Sequence, residues 1–150
     1  MPCIAISYKI PASQIMSNSS VIVTGLTFTV SPPLEGELWY ISATNTVSRA
    51  QANALDTSRV VGISGNPPDE LITSQGIVCP VLFVPGLTLN AGDVVYLDAS
   101  TAGQATNVPP SSGGQYIAPQ GFVLDPSTYN PSVGGLALVV PQRGVLAGPL

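Results

Sequence analysis

Apolar and polar residues alternate along this chain in short bursts, each stopped by glycine or proline. Ile4, Ile6, Tyr8 and Ile10 fall on one side of residues 3–10, with Cys3, Ala5, Ser7 and Lys9 on the other. That is the period-two pattern of a half-buried strand. Pro11 and the polar run 13–20 cut this strand off from the rest of the chain. In residues 21–30, Ile22, Leu26, Phe28 and Val30 oppose Thr27 and Thr29, and Gly25 marks a bulge. Residues 37–42 set Leu38 and Tyr40 against Trp39 and Ile41. Residues 48–55 are the one stretch with helical propensity, with Ser48 as its N-cap.

Strand patterns resume at 59–64 and at 77–84, an almost unbroken apolar run suited to burial on both faces. Pro80 lies inside that run and demands an edge or a bulge. The turn Asn90-Ala91-Gly92-Asp93 leads into a short strand at 94–97. The loop 109–114 precedes a strand at 116–124, and Gly134-Gly135 precedes the last strand at 136–140. Short strands separated by turn chemistry predict an all-β fold. The expected body is a β-sandwich, a β-tulip or a jelly-roll-like arrangement of about eight strands. The chain divides into an N-terminal strand or arm with its linker, residues 1–20, and a body with a short C-terminal tail, residues 21–150. The N-terminal strand has two destinations: back onto its own domain, or onto the sheet edge of a neighbouring subunit.

Charge sharpens this picture. Eight acids, four bases and no histidine leave 8% of the 150 residues charged and a net charge of −4, where about 25% charged is ordinary. A compact monomer of this size exposes on the order of 7,000 Å², so charges are spread at about one per 600 Å². Such a surface is poorly defended against association, which points to an assembly as the working state. Lys9, Arg49, Arg59 and Arg143 form no cluster able to track phosphates, which argues against nucleic acid as a partner. No apolar run approaches the roughly 18 residues of a membrane-spanning helix. The N-terminus lacks a basic region leading into an apolar core, so no signal peptide is read there, and the sequon at Asn18 is read as chance.

Without histidine, neither a Ser-His-Asp nor a Cys-His device can be built. Lys9 has no S-x-x-K spacing, and no phosphate-binding glycine loop or calcium-loop spacing occurs. The paired acids read blandly: Glu35 and Glu37 keep one strand face wet, Asp93 bonds the backbone of its turn, and Asp69-Glu70 is a solvated loop. Asp98 closes the short strand at 94–97. The chain is read as a non-enzyme with no catalytic residue, cofactor or metal. Cys3 and Cys79 read as small buried apolar residues, with a disulfide between them left open. Trp39 and Tyr40 point to opposite sides of a strand, which suits a core on one side and an interface on the other.

The segment Gly86-Leu-Thr-Leu-Asn-Ala-Gly-Asp-Val-Val-Tyr-Leu-Asp98 and its continuation, residues 100–115, resemble a module of tailed-bacteriophage structural proteins. There a G-L-x-x-x-A-G-D-x-V-Y-L hairpin precedes a G-x-x-T-x-x-x-P loop and a closing strand. Ser48-Arg-Ala-Gln-Ala-Asn53 and Arg59-Val-Val-Gly-Ile63 also fit, extending the likeness over roughly residues 36–140. As a whole the chain is similar to capsid decoration (cement) proteins. The resemblance implies a virion protein, made in the host cytoplasm, that binds the outside of the expanded capsid and bridges neighbouring major capsid proteins. It also implies self-association, as a homotrimer or a dimer. The candidate contact residues are Ile4, Ile6, Tyr8, Ile10 and Trp39. The alternative is a tail-fibre or receptor-binding module that recognises host glycans through exposed aromatics such as Trp39.

Overall fold

The structure, a computed structural model, describes residues 22–73 and 75–150. Among them the chain is all-β, with eleven strands in two sheets and one 3₁₀ turn over Asp56–Ser58. The first sheet runs in the order β1 (Ile22–Val23), β6 (Leu71–Ile72), β5 (Gly62–Ser64), β3 (Leu38–Ala43), β4 (Thr46–Arg49), β2 (Thr27–Phe28). The second is a closed five-stranded barrel. It joins β10 (Pro119–Asp125), β11 (Gly135–Pro141), β7 (Cys79–Phe83), β9 (Ala105–Thr106) and β8 (Val94–Leu97), and β8 pairs back onto β10.

The six-stranded sheet cannot be flat. β1 and β2 lie at its opposite ends, which in a flat sheet would be about 24 Å apart at five strand spacings. Only residues 24–26 join them, and four Cα steps reach at most about 14 Å. The sheet therefore curls. Its concave face holds a small core of Trp39, Val47 and Leu71, against which Val23, Leu26, Phe28, Val30 and Val61 pack. Phe28 meets Trp39 edge-on at a centroid distance of 4.8 Å.

The main core fills the barrel. Val81, Phe83, Val95, Leu97, Ala105, Val123, Ala137 and Val139 point inward, while Leu38 and Ile63 from the curled sheet join the same cluster. The two bodies thus share one apolar interior. Pro80 sits opposite Leu138 in the β7–β11 ladder. Two residues on, the Leu82 N–H points away from β11 to the Gly36 carbonyl. Strand alternation puts the Pro80 nitrogen on that same side, where β9 reaches only Phe83. The missing donor therefore costs no bond to β11, the local edge that proline requires.

The helix expected over 48–55 does not form. Thr46–Arg49 is instead the return strand of a hairpin with β3, turned at Asn45 with φ 52°. Ala50 and Ala52 are fully buried in the main core. Burial and strand pairing override a helical propensity worth only tenths of a kcal/mol per residue. The expected strand at 21–30 is split into β1 and β2 at Gly25, and β6 and β9, each two residues long, lie where the alternation gives no signal. The expected N-terminal strand lies outside the described residues.

Candidate contact surface

Of the candidate contact residues, Ile4, Ile6, Tyr8 and Ile10 lie outside the described residues. Trp39 is 0% exposed. The curl of the sheet closes Phe28 and Leu26 over its ring, and its indole N–H has no hydrogen-bond partner. As folded, this tryptophan offers no face to a neighbouring subunit, a capsid or a sugar. Tyr40, on the other side of β3, packs against the main core.

One of the acids is placed differently from its expected role. Glu37 is 1% exposed and keeps no face wet. Arg49 Nη2 donates to its Oε1 at 2.8 Å, Arg49 Nε donates to Oε2, and the Leu34 N–H donates to Oε1 at 2.8 Å. Trp39 opposes Arg49 in the hairpin register, so Glu37 is the diagonal neighbour of Arg49 on one sheet face. The turn at Gly103, φ 81°, closes over the pair, and a Cβ there would sit 3.0 Å from Glu37 Oε2. Asp93 behaves as its turn requires: Oδ2 accepts the Asn90 N–H and the Asn107 amide, both at 2.9 Å. Asp98 Oδ2 likewise accepts the Ser100 and Thr101 N–H groups. Together these carboxylates shape the Gly86–Asp98 module, whose strand β8 pairs with β9 and β10. Cys79 is fully buried and disulfide-bonded, an outcome the sequence leaves open, and Cys3 lies outside the described residues.

An apolar surface lies on the outer wall of the barrel. Phe122 is directly opposite Val94 on β8 and Val140 on β11, which makes an uncharged row across three strands. Phe122 remains 44% exposed and Leu124 49%. Their neighbour Val123 points inward and is buried. Large apolar side chains side by side on an open sheet face, with no Lys, Glu or Asp between them, form the kind of surface that partners cover.

No protein-family model, curated protein or solved structure matches the chain. The reading of its surface therefore rests on geometry. A second apolar recess, about 200 Å³, opens at the mouth of the curled sheet between Val23, Leu26, Ile41, Val61 and Leu71. At the end of β10, backbone and hydroxyl hydrogen bonds from Ser127 hold the Asp125 carboxyl below its usual pKa. A depressed carboxyl favours the fold above its unfolded pKa, and that contribution fades as the pH falls through the folded value.

Phe122, Val123 and Leu124 are three large apolar residues in a row, so the alternation does not show which of them face out. The available signal is the excess itself. A strand apolar on both faces must have its second face covered by another layer or by a partner.

Proposed function

We propose that this chain is a capsid decoration protein, which binds the outer surface of an expanded phage head and bridges neighbouring major capsid proteins. It works by self-association and by contact with the shell, without catalysis. The observation that carries the reading is the uncharged row Val94, Phe122 and Val140 on the barrel wall, flanked by Leu124. Two further features support it: the low charge of the whole chain, and the module at Gly86–Asp98 that resembles phage structural proteins. The mechanism is mass action, since a ligand that binds only the assembled shell stabilises that shell. The glycan-binding alternative leaned on exposed aromatics such as Trp39, and that ring is buried.

Contacts made by apolar burial, at about 25 cal/mol per Å², are insensitive to screening. Decorated particles washed at about 1 M salt, where the Debye length is about 3 Å, should keep the protein. Phe122→Asp puts a charge into the centre of the docking face and should weaken attachment by on the order of 2 kcal/mol or more. Co-sedimentation of the purified protein with bare expanded shells measures both effects. Phe122→Asp protein that unfolds normally yet attaches as the native chain does would remove the barrel wall as the docking face. Release by salt alone would show that the contacts are ionic.

A further inference from the structure

The end of the curled sheet has two faces with different neighbours. In the β1–β6 pair, Ile22 is opposite Ile72 and Val23 is opposite Leu71. Ile22 and Ile72 pack beside Ile77 and Cys79. Val23 and Leu71 face the other way, into the Trp39 core, and both line the apolar recess at the mouth of the sheet. Thr73, in phase with Leu71, lines it too. β1 is the end strand, so among the described residues its side away from β6 carries no strand. Cys79 and the recess thus lie on opposite faces of one sheet edge.

Cys79 is disulfide-bonded, and the chain has only one other cysteine, Cys3. A disulfide draws its two Cα atoms to about 4.4–6.8 Å, which brings residue 3 to the Ile22 end of this edge. Extended chain sends successive side chains to opposite faces. With Cys3 turned to the Cys79 face, Ala5, Ser7 and Lys9 share that face, and Ile4, Ile6, Tyr8 and Ile10 take the other. The other face is the one with the recess.

We propose that the recess is the seat of the chain's own N-terminal segment, with Cys3 tethered to Cys79 on one face of the β1 edge and Ile4 and Ile6 inserted on the other. The recess holds about 200 Å³. An apolar cavity of about 150 Å³ accepts a benzene molecule, so there is room here for branched aliphatic side chains. The linker, residues 11–21, spans up to about 36 Å when extended and has only to return to Ile22. A tether one residue from Ile4 excludes a neighbouring subunit as the source of that side chain. The segment is then a strap over its own body and not an arm for a neighbour. This seat is independent of the docking face on the barrel wall.

Lys9 is the chain's one lysine, which makes a lysine-specific endoprotease the probe. The full chain, purified in air without reductant, should have the mass of a monomer under denaturing, non-reducing conditions. Cleavage after Lys9 should add one water and release nothing until a thiol reductant frees residues 1–9. Two free thiols, or a disulfide-linked dimer, would overturn the tether. Seating is read from the cleavage rate, which follows the population of the opened segment. Ile4→Asp with Ile6→Asp should raise that rate by roughly tenfold or more. It should also shift the methyl resonances of Val23 and Leu71 while those of Val139, inside the barrel, stay in place. If the aspartates prevent folding, Ile4→Ala with Ile6→Ala is read in the same way. An unchanged rate, or unmoved Val23 and Leu71 methyls, would put the segment elsewhere and overturn the seat.

Discussion

Glu37→Ala should lower the free energy of unfolding by about 3 kcal/mol, the scale of breaking a buried ion pair by removing one partner. The substitution leaves the Arg49 guanidinium under the Gly103 turn without its carboxylate, and the Leu34 N–H without its acceptor. Arg49 retains some exposure, 28% of its side chain against 1% for Glu37. Water can therefore reach part of the stranded cation, which places the expected loss at the low end of the range. Urea unfolding followed by tryptophan fluorescence measures it, since Trp39 is two residues away in sequence. A double variant, Glu37→Leu with Arg49→Met, should recover much of the loss, because two apolar residues leave no orphan charge. A loss below about 1 kcal/mol for Glu37→Ala would mean that the pair behaves as a surface salt bridge.

Gly121→Ala should be worse, costing about 4 kcal/mol or more and opening the barrel. Gly121 sits in β10 at the register shift against β8, between the Pro119–Tyr96 pair and its own pairing with Val95, with φ 146°. A Cβ built there lies 2.1 Å from the Val140 carbonyl oxygen and 3.0 Å from the Gln142 nitrogen. Backbone cannot yield as a flexible side chain can, so the β10–β11 ladder must separate. Gly92→Ala is the control: its φ of 91° is equally unsuited to alanine, but no atom lies within 4 Å. It should cost only the conformational term, about 1–2 kcal/mol. Thermal unfolding of the two variants side by side separates strain from collision. Equal losses would show that the clash is relieved by relaxation.

The strand pattern carries the fold class because period-two alternation follows directly from burial on one face. Val94–Leu97 was legible to the residue, since a polar turn precedes it and Asp98 closes it. The hairpin at residues 38–49 was not. Its return strand, TVSR, lies next to the alanine-rich 50–54, and helical propensity there outweighs four residues of strand pattern. Missing that hairpin hid the Glu37–Arg49 pair, whose closeness exists only in the register of β3 against β4. Barrel closure was equally hidden, because it depends on β9, a two-residue strand of Ala105 and Thr106 with no periodicity to read. Trp39 shows the limit of reading one strand alone. Alternation gives which side it faces, but the cover over that side comes from Phe28, eleven positions away in sequence.

The curl of the first sheet has a consequence for how the chain resists aggregation. A protein this poor in charge lacks the lysines and glutamates that usually guard open strand edges against runaway stacking. Among the described residues the barrel has no edge, and the curled sheet ends in β1 and β2, each two residues long. A fibril template needs a longer unpaired backbone than that. Backbone geometry thus takes over the gatekeeping that side-chain charge performs elsewhere, and faces are left as the route to association.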